Sequence, residues 1–120
     1  MSKILIVEDD KANRILLSSL LEIYGYESDS VSSAAETIAY VEQECPRAIL
    51  MDLRIPGADG VTLTRQLKED LRLSNVPVIA VTAKQFLPGE EEELRSAGFA
   101  GYVPKPVDFQ SLHDYLTELA

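Results

Sequence analysis

Four short apolar runs in this chain each break off at a polar residue, and segments long enough for a helix separate them. Ile4-Leu5-Ile6-Val7 runs into Glu8-Asp9-Asp10, Ala48-Ile49-Leu50-Met51 into Asp52, Val78-Ile79-Ala80-Val81 into Thr82, and Tyr102-Val103-Pro104 into Lys105-Pro106. Short, continuous, β-branched runs read as strands covered on both faces. Helix-length crossovers between them imply a parallel sheet with right-handed connections. The C-terminal ends of the strands then share one edge, where open α/β sheets bind ligands.

The intervening segments carry helix signals. Lys11 to Tyr24 places Ile15, Leu16, Ser19, Leu20 and Ile23 on one stripe, and Gly25 stops it. Glu27 to Val31 reads as a polar strand suited to a sheet edge. Ser33-Ala34-Ala35-Glu36 is a capping-box pattern opening a second helix, which turns Ile38 and Val41 inward and ends before Pro46. Pro56-Gly57-Ala58-Asp59-Gly60 is a dense turn cluster, after which Leu63, Leu67 and Leu71 space out a third helix. Pro77 stands at the start of the next strand, where a missing N–H is tolerated.

Pro88-Gly89 followed by Glu90 to Glu93 marks the acidic first turn of a fourth helix, ended by Gly98. Gly101 to Val103 is a short fifth strand, and Asp108 caps a last helix with Phe109, Leu112, Leu116 and Leu119 on one face. The sum is an α/β chain: a (βα)5 doubly wound parallel five-stranded sheet, expected as one domain over residues 1–120 with no linker or repeat.

Hydrophobic residues make up 46% of the 120, enough for a real core, yet no apolar run approaches the roughly 20 residues of a membrane span. No membrane insertion is expected, and Met1-Ser2-Lys3 does not open a signal peptide. Cys45 is the single cysteine, so no internal disulfide can form and a reducing, cytoplasmic setting fits. A net charge of −9 argues against direct nucleic-acid binding, since phosphate backbones attract basic surfaces.

The residues at the strand ends form a chemically coherent set. Adjacent acids such as Glu8 and Asp9 supply the oxygen ligands that a hard cation such as Mg²⁺ takes, while Asp10 reads as a helix cap. Asp52 ends the most hydrophobic strand, where a carboxylate is costly unless paired with a cation, and an aspartate can accept a phosphoryl group as an acyl phosphate. Thr82 offers a hydroxyl donor and Lys105 a compact ammonium for phosphoryl oxygens. Lys105 lies between Pro104 and Pro106, and a cis Lys105–Pro106 bond would aim it inward.

This ordered pattern resembles the receiver domain of two-component response regulators, of the stand-alone single-domain type. The resemblance rests on Glu8-Asp9, the apolar strand ending at Asp52, Pro56 and Gly60 after it, Thr82-Ala83, Tyr102 and Lys105-Pro106, and covers nearly the whole chain. It implies the flavodoxin-like sheet order 2-1-3-4-5. It implies Asp52 as phosphoacceptor, with Lys105 and Thr82 contacting the phosphoryl group. Mg²⁺ would be bound by Asp9 and Asp52 with the backbone carbonyl of Arg54, and by Glu8, often through water. Thr82 and Tyr102 match the family's switch pair.

The implied donor is a phosphohistidine on a sensor histidine kinase or a histidine phosphotransfer protein. The first helix (Asn13, Leu16, Leu17, Leu20) and the loop at Pro106 and Val107 form the implied docking face. The face of the fourth helix, fifth strand and last helix is the implied effector surface. Such a domain catalyses its own phosphorylation and dephosphorylation but is primarily a signalling switch, so its standing as an enzyme is left open. Arg54, Ile55 and Lys84 hold positions that vary in the family. His113, among polar residues of the last helix, reads as a surface residue.

Other readings differ in specific residues. An excised receiver from a larger regulator or hybrid kinase would share every motif, although the absence of a trailing linker favours the stand-alone case. A haloacid-dehalogenase-type phosphatase needs a second aspartate two residues beyond the nucleophile, where this chain has Arg54. A flavodoxin needs a hydroxyl- and glycine-rich phosphate loop, and Glu8-Asp9-Asp10 occupies that place.

Overall fold

The computed structural model describes residues 3–83, 89–105 and 107–119. The four runs form strands β1 (Ile4–Val7), β3 (Ala48–Asp52), β4 (Val78–Thr82) and β5 (Phe99–Pro104), and β2 is Ser28–Val31. All four neighbour pairings are parallel, in the order β2-β1-β3-β4-β5. The helices α1 (Lys11–Ile23), α2 (Ala34–Gln43), α3 (Gly60–Lys68), α4 (Glu90–Ala97) and α5 (Phe109–Leu119) alternate with them. This is the expected doubly wound, flavodoxin-like sheet.

Strand alternation divides the core into two layers. Leu5, Val7, Ile49, Met51, Val78 and Ala80 face Val41, Leu63, Leu67 and Leu94 from α2, α3 and α4. Ile4, Ile6, Leu50, Ile79 and Val81 face Leu17, Leu20, Leu21, Leu112 and Leu116 from α1 and α5. Because both faces are covered, the central strands carry no polar alternation, which is why they read as continuous apolar runs. The polar β2 lies at the edge, as its composition requires.

The cap signals are borne out. Asp10 and Ser33 accept the N–H groups of Ala12 and Glu36, and Asp59, which the sequence offered only as part of the turn cluster, caps α3 through the Val61 N–H. Gln110 N–H donates to Asp108. The Glu36 carboxylate, however, takes the N–H and hydroxyl of Ser32 rather than closing the box on Ser33. Gly98, at φ 108°, ends α4 in the left-handed conformation that its position invites.

Three local expectations are corrected. Four of the five residues of the expected α1 stripe face outward: Ile15, Leu16 and Ile23 are 56%, 40% and 67% exposed and Ser19 is exposed too, while Leu20 is buried. Leu17, Leu20 and Leu21 are the buried residues. Two apolar stripes share this helix, and the one without a serine packs on the sheet.

The third helix stops at Lys68 and leaves Leu71 88% exposed. Asp70 caps a new 3-10 turn, Leu71–Leu73, which buries Leu73 instead. The Lys68 ammonium wraps over this connection and donates to the carbonyls of Leu73, Ser74 and Val76. The turn cluster contains a short antiparallel hairpin, Arg54–Ile55 with Ala58–Asp59, which the sequence reading took only as a turn. Lys84, Pro88 and the Lys105–Pro106 bond lie outside the described residues.

Candidate functional site

The parallel register sets the site. Val7 lies beside Met51 and Asp52 beside Val81, so Glu8, Asp52 and Thr82 leave their strands at one level. The Lys105 N–H donates to the Thr82 carbonyl at 2.8 Å and brings the end of β5 to the same edge. The expected residues Glu8, Asp9, Asp52, Arg54, Thr82 and Lys105 all line one cleft of about 320 Å³.

Within it, Glu8, Asp9 and Asp52 each present a carboxylate oxygen within 4.8 Å of the others. Glu8 and Asp52 are buried, Asp9 is exposed, and Thr82 is 5% exposed. The Lys105 ammonium stands 2.7 Å from Glu8 Oε1 and 3.3 Å from Asp52 Oδ2. Asp52 Oδ1 accepts the Arg54 N–H at 3.0 Å. One ammonium therefore serves two buried carboxylates.

Burial and the neighbouring Asp52 push the Glu8 carboxyl up to about 6, against the opposing pull of Lys105. Burial works against the Lys105 charge, but Glu8 and Asp52 outweigh it and raise the ammonium above its usual range. Such a site carries more negative charge than its own cations offset. A hard divalent cation suits that deficit. Mg²⁺ ligands lie about 2.1 Å from the metal and so at most about 4.2 Å from each other, close to the observed oxygen spread.

Two backbone features support the strand ends. A Cβ at Gly60 would meet the Asp52 carbonyl oxygen at 2.6 Å and Leu53 Cα at 2.8 Å, so only glycine lets α3 start against the end of β3. The Arg14 guanidinium donates through Nη1 to the carbonyls of Glu8 at 3.0 Å and Asp9 at 2.9 Å. Sequence reasoning missed Arg14. The signal was a cation in the first turn of a helix, where the dipole disfavours it unless something compensates.

Tyr102 lies within β5, paired with Ala80, two residues before the strand's end. Its hydroxyl donates to Glu91 Oε1 on α4 at 2.8 Å, and its N–H donates to the Tyr115 hydroxyl on α5 at 3.3 Å. Of the expected docking residues, Asn13 lines the cleft, Leu16 is exposed and Val107 packs against the α1–α5 core. Leu17 and Leu20, each 2% exposed, lie in the core and present no surface to a partner. Pro106 is outside the described residues.

A family model for the response regulator receiver domain matches residues 4–117. The chain belongs to the response regulator receiver family. This receiver is 38% identical over 104 residues to the polar-differentiation response regulator DivK of Brucella ovis, covering 87% of this chain and 84% of that protein. It resembles the receiver domain of a sensor histidine kinase from Pseudomonas aeruginosa PAO1, solved with a magnesium ion coordinated in the active-site cleft. That match has 32% identity and a TM-score of 0.87, over 98% of this chain and 96% of that one. The chemotaxis response regulator CheY4 of Vibrio cholerae shares the fold, with a TM-score of 0.90 at 22% identity over 100% of this chain and 99% of that one.

Receivers act as phosphoacceptors in two-component signalling and bind Mg²⁺ at an acidic site. As a class they work with histidine kinases or phosphotransfer partners and with effectors. Among the described residues no helix is long and apolar enough to cross a membrane.

Proposed function

We propose that this receiver takes a phosphoryl group from a phosphohistidine onto Asp52. The observation that carries this reading is the Lys105 ammonium, held within 3.3 Å of a buried Asp52 carboxylate at the edge where three acids converge. In the transfer, an Asp52 carboxylate oxygen forms the new bond to phosphorus as the P–N bond to the donor imidazole breaks. Lys105 follows the charge onto the phosphoryl oxygens, and the Thr82 hydroxyl donates to one of them.

Asp9 and Asp52, with the Arg54 carbonyl and Glu8 through water, are the proposed ligands of Mg²⁺, which when bound neutralises charge on the phosphoryl oxygens. Water attack on the acyl phosphate at the same site ends the signal. The proposed setting is cytoplasmic.

Two surfaces extend this reading. The outward stripe of α1, with Ile15, Leu16 and Ile23 beside Asn13, is the proposed dock for the helices carrying the donor histidine. It replaces the stripe that included Leu17 and Leu20. The α4–β5–α5 face is the proposed effector surface, with Thr82 and Tyr102 coupling it to the phosphoryl site.

The deciding experiment is incubation with Mg²⁺ and acetyl phosphate followed by intact-mass measurement. A single added phosphoryl group, lost in Asp52→Asn, is expected. Undiminished labelling in that variant would overturn the assignment of Asp52.

A further inference from the structure

The loop Glu8-Asp9-Asp10 carries three adjacent acids, yet nearly every polar group of its backbone has a partner. Glu8 N–H donates to Val31 O at 3.0 Å, tying the loop to β2. Asp10 N–H reaches Glu8 Oε2 at 3.4 Å, and Asp10 Oδ1 caps Ala12 N–H at 3.1 Å. The Asp10 carbonyl accepts the Arg14 N–H at 3.0 Å. The Glu8 and Asp9 carbonyls both accept from Arg14 Nη1.

An arginine beside three carboxylates would ordinarily fork onto one of them. Among the described residues Arg14 makes no such ion pair, and its guanidinium goes to the backbone. We propose that Arg14 is a positioning residue for the cation site: it holds the peptides of Glu8 and Asp9 so that their carboxylates converge with Asp52, and it leaves those carboxylates open to the metal. The inference rests on the reading of Glu8, Asp9 and Asp52 as that site.

Convergence of three like charges does not stabilise itself, because repulsion spreads them. Lys105 anchors Glu8 and Asp52, but Asp9 is exposed and lies outside that pair. Arg14 is the side chain that fixes the Asp9 peptide. Groups that orient metal ligands without touching the metal typically change affinity about tenfold or more when lost.

The sign of the effect separates positioning from charge. If Arg14 acted only as a nearby positive charge, its removal would tighten Mg²⁺ binding. If it positions the loop, its removal weakens binding. Mg²⁺ titration of the full chain, followed by the amide shifts of Asp9, Asp52 and Arg54, measures this directly. For Arg14→Gln a roughly tenfold higher Kd is expected, with partial recovery in Arg14→Lys. Acetyl phosphate labelling of Arg14→Gln should fall at low Mg²⁺ and recover at saturating Mg²⁺.

Unchanged or tighter Mg²⁺ binding in Arg14→Gln overturns the inference. So does a weakening matched, in both variants, by an equal loss of metal-free folding stability. Absence of Mg²⁺-dependent shifts in the unsubstituted protein would instead refute the cation site itself, and the inference with it.

Discussion

The Lys105 ammonium lies 2.7 Å from Glu8 Oε1, nearer than its approach to Asp52 Oδ2 at 3.3 Å. The lysine that the proposed chemistry directs toward a phosphoryl group is thus tied first to a buried glutamate. Glutamate is one methylene longer than aspartate, which lets this carboxylate reach it.

Replacing Lys105 by methionine should therefore affect more than transfer. It leaves the Glu8 and Asp52 carboxylates buried without their ammonium, and an unsatisfied buried polar group costs about 1–3 kcal/mol. Chemical denaturation of the metal-free variant should show a loss of that size. Saturating Mg²⁺ should restore much of it, because the cation supplies the missing charge. A variant as stable as the parent without Mg²⁺ would show that the pair contributes nothing to folding.

The two stripes of α1 should separate cleanly by mutation. Leu16→Glu, on the exposed side, should slow transfer from a phosphohistidine donor while leaving acetyl phosphate labelling and the unfolding midpoint nearly unchanged. Leu17→Ala, in the core, should instead cost about 2–5 kcal/mol of stability. Parallel measurement of transfer rate and denaturation midpoint checks both. A docking role for the outer stripe is excluded if Leu16→Glu transfers at the parent rate.

Glu91 should set the resting position of Tyr102. The phenol donates to its carboxylate, and that bond raises the Tyr102 phenol above its usual range. Removing the acceptor in Glu91→Ala should free the ring from α4 and lower the beryllofluoride concentration needed for half-activation by about two- to fivefold, the effect of losing one exposed hydrogen bond. Tyr102 ring shifts, followed by NMR through the titration, report this. Identical midpoints in Glu91→Ala and the parent would mean that the latch carries no weight.

Tyr40 links α2 to the sheet edge, its hydroxyl lying 2.9 Å from Asp29 Oδ2 and 3.1 Å from Glu44 Oε2. Burial and these two carboxylates raise its phenol well above the ordinary value of about 10. The folded state therefore keeps the proton that the unfolded chain releases. The resulting stability is present in full below about pH 10 and is lost as pH rises from there through the folded-state value. Unfolding midpoints of the parent should fall over that range, and those of Tyr40→Phe should fall less steeply. Parallel pH profiles for the two proteins would assign the alkaline loss to other groups.

The strands and the edge they share were legible in the sequence, because a strand buried on both faces must be apolar throughout. An acid, hydroxyl or ammonium that ends such a run then marks its exit from the core. For the same reason Glu8, Asp52, Thr82 and Lys105 could be grouped before any coordinates, and the cleft contains them all. Caps were legible too, since Asp10, Ser33 and Asp108 act on N–H groups within three residues.

Rotation about a helix axis is a different kind of fact. In α1 the expected stripe of Ile15, Leu16, Ser19, Leu20 and Ile23 and the set Leu17, Leu20 and Leu21 both satisfy helical spacing, and only packing against Ile4, Ile6 and Leu50 chose the second. The end of α3 likewise depended on Asp70 restarting the backbone and Leu73 finding the core. The contacts of Arg14 with the acid loop and of Tyr102 with Glu91 join side chains to groups whose positions no local pattern specifies. Sequence determined which strands of the main sheet and which helices form and what chemistry ends those strands, because both follow from local burial. Tertiary structure decided which faces meet, because that depends on which of several adequate apolar surfaces fills the space over the sheet.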